Sequence, residues 1–129
     1  MGQASGRRAP GHPGAEPQFL TPESAAQGVA YVLRVLEGRW KLLILFHLFG
    51  GKVRRFSELE RAIPAVSQKV LTAQLRQLER DGIVSRVVYP QVPPKVEYAL
   101  TDFGQGLCPV LDALLKWSVT RARAPRRDD

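Results

Sequence analysis

One cysteine, two histidines and the absence of any long apolar run set the first limits on this 129-residue chain. A lone Cys108 cannot form an intramolecular disulfide, so a secreted, disulfide-stapled fold is not supported. His12 and His47 add too few ligands for a structural zinc site, so no metal is expected. The longest apolar run, "LLILFHLF", is far short of the ~20 residues that span a bilayer. The N-terminus carries arginines but no apolar core of a signal peptide, and a cytoplasmic location is expected, away from membranes.

Catalysis finds no footing either. Gly50-Gly51 lacks the rest of a phosphate-binding loop. Ser57 and Ser67 read as helix caps, with neither a histidine nor an acid placed to activate them. Glu58 and Glu60 stand two apart and point to different faces of a helix, so they are no acid/base pair. The chain is expected not to be an enzyme, to use no cofactor and to hold no catalytic residue.

What the sequence has in excess is positive charge. The formal net charge is +7 and the pI about 10.2, which points to an anionic partner. The charge is concentrated. Residues 52 to 95 hold Lys52, Arg54, Arg55, Arg61, Lys69, Arg76, Arg80, Arg86 and Lys95 against Glu58, Glu60, Glu79 and Asp81, leaving +5.

The chain divides into a tail at residues 1–22, one domain at residues 23–119 and a polar tail at residues 120–129. The first tail has Pro10, Pro13, Pro17 and Pro22 among four glycines and should be disordered. Thr21 can cap a helix with Pro22 at its first position, and Val29, Val32, Leu33 and Leu36 repeat at helical spacing until Gly38. A second helix, about Trp40 to Phe49, is apolar almost all round and should be a central core element. "KVRRF" is a short extended piece. Ser57 is expected to cap the brief helix "SELERAI", with Glu60 closing a capping box, and Pro64 to break it.

Ser67 caps the next helix, with Val70, Leu71, Leu75 and Leu78 inward and Lys69, Thr72, Ala73, Arg76 and Arg80 outward. Asp81-Gly82 ends it. "IVSRVVY" and "KVEYAL" bracket "PQVPP", the pattern of a two-stranded ribbon with a proline-stiffened tip. Thr101 caps a last helix. The expected fold is mainly α with a small β-hairpin wing: a winged helix-turn-helix with extra terminal helices.

A short helix, a three-residue turn and a second helix suit the major groove, where base edges are read by amides, guanidiniums and methyl groups. Gln68, Lys69, Thr72 and Arg76 form such a set, and the first turn ranks highest because it usually reaches the bases. Arg54 and Arg55, taken to face one side together, would contact phosphates, and Arg86 on the ribbon and Lys95 at the wing base could reach the minor-groove edge or its phosphates. Val29, Val32, Leu33, Val35 and Leu36, with Leu107, Val110, Leu111, Leu114, Leu115 and Trp117, exceed what one small domain must cover. That surplus suggests a homodimer surface. Val32, Leu36, Phe49 and Trp117 are candidates to line an effector pocket, core packing being their other role. His47 reads as a core or partly exposed residue, and Cys108 as buried and inert.

Four stretches, "EGRWKLLILFHLFGG", "RRFSELERAIPAVSQKVLTAQLRQLERDGIVSR", "VYPQVPPKVEYALTDFGQGL" and "PVLDALLKW", resemble the HxlR family of bacterial winged-helix transcription regulators. Together they span about residues 24 to 118. The resemblance implies a homodimer built through the terminal helices and an inverted-repeat operator of double-stranded DNA. It also implies Ser67, Gln68, Lys69, Thr72 and Arg76 on the recognition helix and Lys95 in the wing. Many family members carry a Cys-Pro pair thirteen residues before the tryptophan and use it as a thiol switch. Counting back from Trp40 gives Gln27-Gly28, so that switch is missing from its place. The expected function is a sequence-specific transcription regulator, a repressor by preference, with a small-molecule effector left open. The rival is a winged-helix module for protein contact that binds DNA non-specifically or not at all.

Overall fold

A computed structural model describes residues 21–123 and 125. Of the tail at residues 1–22 expected to be disordered, residues 1–20 lie outside the described residues, while Thr21 and Pro22 begin the first helix. The chain falls into two units, one ending at Leu36 and one beginning at Glu37.

The first unit is α1, Pro22–Val35. The Ser24 N–H donates to Thr21 Oγ1 at 3.1 Å and the Thr21 N–H donates to Ser24 Oγ at 3.0 Å, a reciprocal cap that fixes the helix start. None of α1's residues is buried, and Val29, Tyr31 and Leu33 are exposed.

The second unit opens with Gly38, whose φ of 108° turns the chain into α2, Arg39–Leu48. Ile44, Leu45 and Leu48 are fully buried, but Leu42, Leu43 and Phe46 are exposed. The expectation of an all-round core helix is therefore corrected: only one face is packed. The buried face includes Lys41, 6 % exposed, which a hydropathy pattern does not single out.

Two residues of strand, β1 (Arg54–Arg55), lead into α3, Phe56–Ala62. The helix starts earlier than Ser57 suggested. Arg55 is the N-cap, and its N–H donates to Glu58 Oε1 at 2.7 Å, so Glu58 rather than Glu60 closes the first turn. Pro64 follows the C-cap Ile63 as expected.

Helix α4 runs Gln68–Arg80 and presents Leu71, Leu75 and Leu78 inward, all buried. Its end is a Schellman motif. Ile83 N–H donates to the Leu78 carbonyl at 2.9 Å and Gly82 N–H to the Glu79 carbonyl at 3.0 Å, with Gly82 at φ 75°. Ile83 is thereby buried directly after the helix, and β2, Val84–Tyr89, starts at once.

Strand β3, Lys95–Leu100, pairs antiparallel with β2 from Val84↔Leu100 to Tyr89↔Lys95. It also pairs with β1 through Arg54↔Tyr98 and Arg55↔Glu97. The ribbon is thus the larger part of a three-stranded sheet of order β1-β3-β2, one strand more than the sequence pattern suggested. Alternation places Val84, Tyr98 and Leu100 on the buried face.

The final helix is two helices. Thr101 Oγ1 accepts the Gly104 N–H at 2.9 Å and caps a single turn, α5 (Asp102–Gln105). After Gly106 the chain resumes as α6, Leu107–Ser118, and continues as a 3-10 helix over Val119–Arg123. Residues 120–123, expected in the polar tail, thus extend the last helix.

Candidate nucleic-acid interface

The helix-turn-helix is α3, the turn through Pro64, Ala65 and Val66, and α4. Ser67 fixes where α4 begins, because its Oγ accepts the Val70 N–H at 3.1 Å. That cap leaves Gln68 and Lys69 in the first turn, both exposed. One turn on, Thr72 is half-buried, and Arg76 and Arg80 are exposed. Gln68, Lys69, Thr72 and Arg76 therefore lie on a helix whose opposite face is locked into the core by three leucines. Val70 is an addition. It was expected inward, but it stands one helical step of about 100° from Leu71 and is 37 % exposed. A methyl-bearing side chain there is the kind that meets a thymine methyl group.

The basic residues of the sheet do not behave alike. Arg54 and Arg55 were expected to face one way, but successive strand residues point to opposite faces. Arg54 sits beside buried Tyr98, and its Nε donates to the His47 carbonyl at 3.4 Å, tying β1 to the end of α2. Arg54 is thus partly structural. Arg55 is exposed on the other face, opposite Glu97. Arg86 is exposed midway along the ribbon.

Lys95 is not at the base of the wing. It pairs with Tyr89 in the last rung before the turn at residues 90–94, so it stands at the tip end. Its Nζ lies 3.8 Å from Glu97 Oε2 and 4.3 Å from the centroid of the Tyr89 ring. The Glu97 carboxylate beside Tyr89, by its charge and by a hydrogen bond, holds that phenol above its ordinary pKa. Beyond this rung Val92 projects fully exposed.

On α6, Val110, Leu114, Leu115 and Trp117 are exposed, Leu107 is half-buried, and Leu111 is 4 % exposed. Leu111 is already a core residue of the single chain and is removed from the free apolar face. On α1, Val29 and Leu33 are exposed, Val32 is half-buried, and Leu36 just beyond the helix is buried. Of the residues proposed around an effector, Phe49 packs against Phe46 with ring centroids 4.9 Å apart, whereas Trp117 is 74 % exposed. Cys108, expected to be buried, is half-buried. Among the described residues no cluster of histidine, cysteine and acidic side chains could hold a metal ion. No helix among them is long and apolar enough to cross a membrane.

Residues 35–125 match the family model of the HxlR-like helix-turn-helix. The chain belongs to that family. The HTH-type transcriptional regulator YybR of Bacillus subtilis is 45 % identical over 102 residues, 79 % of this chain and 81 % of that one. A second Bacillus subtilis regulator, YtcD, is 53 % identical over 89 residues, 69 % of this chain and 70 % of its own. Among solved structures, the redox regulator HypR in its reduced form is 46 % identical with a TM-score of 0.68, covering 73 % of this chain and 93 % of HypR. With the helix-turn-helix, the wing and these relatives in place, this HxlR-type chain is a DNA-binding transcriptional regulator of the winged-helix class, and not an enzyme.

Proposed function

We propose that this HxlR-type regulator binds an inverted-repeat operator as a homodimer and acts as a repressor in the cytoplasm, with α4 reading bases in the major groove. The observation that carries the reading is α4 itself. Its inward face is fixed by Leu71, Leu75 and Leu78, and its exposed face offers Gln68, Lys69, Val70 and Arg76 without an acidic residue before Glu79. Arg55 and Lys95 on one face of the sheet, and Arg86 on the face of Tyr98, act as separate phosphate contacts that set the register of the protein on the duplex. A helix with this distribution in an inert surface would carry acids among its bases.

The homodimer is supported by the apolar faces that α6 and α1 each leave exposed, and its two-fold axis requires half-sites about 10 base pairs apart or a multiple of that. Control by a cysteine at the usual place is absent, because Gln27 and Gly28 occupy it. The remaining alternatives are a non-covalent small molecule or no effector at all.

Selection of bound duplexes from a random library tests the reading. A palindromic sequence should emerge, bound at least a thousandfold more tightly than random duplex at physiological salt. Recovery of no common sequence would favour the protein-contact module instead.

A further inference from the structure

The outer face of the wing carries a carboxylate where an anion-binding surface would be expected to carry none. Along β3, Lys95, Glu97 and Ala99 point away from buried Tyr98 and Leu100. Glu97 is flanked by Arg55 across the β1 pairing, while its Oε2 lies 3.8 Å from Lys95 Nζ. Lys95 in turn sits 4.3 Å from the Tyr89 ring centroid, and the side chains of both Lys95 and Glu97 are only 25 % exposed. These are not freely solvated groups. An unrestrained lysine has a flexible four-carbon stem and can follow any nearby phosphate. One held between a carboxylate and an aromatic face is restrained in where its ammonium can reach.

We propose that Glu97 is a positioning residue of the wing: it holds the Lys95 ammonium on the Tyr89 ring, so that the wing presents its cation at one place and undirected phosphate binding is held down. The proposal rests on the DNA-binding reading above and adds a specificity determinant to it. A Lys95 held on the Tyr89 ring cannot follow the phosphates of an arbitrary duplex, and it favours the duplex whose backbone meets it. The carboxylate thus widens the gap between operator and random DNA.

The test is a double-mutant cycle of Glu97→Gln and Lys95→Ala on the full chain, titrated with the selected operator and with random duplex between 50 and 200 mM salt. One added phosphate contact steepens the slope of log affinity on log salt by about 0.9, which is about 3.5-fold over that range. Glu97→Gln should steepen the random-duplex slope by about one contact and lower the ratio of operator to random affinity several-fold. In the Lys95→Ala background it should do neither. The same Glu97→Gln effect in both backgrounds would make the carboxylate a plain repulsive charge and overturn the proposal. So would equal weakening of both duplexes at unchanged slope, the mark of a merely structural role. Tyrosine absorbance titration should also show Tyr89 ionising at lower pH in Glu97→Gln, since the carboxylate that holds its pKa up is gone; no change would count against the contact itself. Wild-type protein that binds no duplex would instead remove the DNA-binding reading, an outcome distinct from these.

Discussion

Gly104→Ala should destabilise the protein strongly, although alanine is the better helix former. A Cβ at Gly104 would fall onto the Ile83 carbonyl oxygen and lie 3.0 Å from the carbonyl carbon and 3.2 Å from its Cα. This stretch of backbone cannot retreat. Ile83 N–H is held by the Leu78 carbonyl at 2.9 Å, and the Ile83 carbonyl accepts the Thr101 N–H at 3.0 Å. Overpacking costs about 1–3 kcal/mol, and loss of the Thr101 bond about 1 kcal/mol more. Relief of glycine's entropy returns only about 0.5–1 kcal/mol. The net is about 2 kcal/mol, or roughly 8–16 °C in Tm for a domain of roughly 100 residues. The matched control is Gly28→Ala in α1, where a Cβ meets nothing within 4 Å. That change should stabilise by roughly 0.5–1 kcal/mol. Urea unfolding followed by circular dichroism, at one fixed protein concentration, measures both. A Gly104→Ala protein as stable as wild type would refute the reasoning that α5 approaches the Ile83 carbonyl too closely to admit a Cβ.

Two further outcomes are expected. Leu114→Glu with Leu115→Glu should sediment as a monomer that still folds, because both side chains are exposed in the single chain and the core loses nothing; wild type that is monomeric at micromolar concentration would end the dimer proposal. Treatment with diamide or peroxide should leave operator affinity unchanged, since Cys108 is the only thiol and has no resolving partner in the chain; a large loss that Cys108→Ser abolishes would make Cys108 a sensor.

The caps and turns of this fold were legible because each depends on local chemistry. Thr21, Ser67 and Thr101 all accept a backbone N–H from three residues on, as their positions before apolar-periodic segments implied. Asp81-Gly82 marked the end of α4 for the same reason. What failed depended on partners distant in sequence. β1 is only two residues long, and nothing local announces that it will pair with β3; that pairing then dictates that Arg54 and Arg55 diverge. Ser57 lost the cap of α3 to Arg55 because pairing of β1 carries the chain straight into the helix, leaving Glu58 to close the first turn. The all-apolar α2 could not reveal from its own pattern which face would be packed. Among candidate DNA contacts, α4 followed directly from helical periodicity. The Lys95, Glu97 and Tyr89 cluster needed the register of the ribbon, which the loop "PQVPP" alone does not set.

Base reading by α4 is tested most directly by the affinities of Gln68→Ala and Arg76→Ala for single-base variants of the selected operator. A side chain in bidentate contact with a base should cost about 1–3 kcal/mol on the operator when removed, and its loss should abolish discrimination at one symmetric pair of positions while leaving the others intact. If both variants rank every operator variant as wild type does, α4 does not read bases.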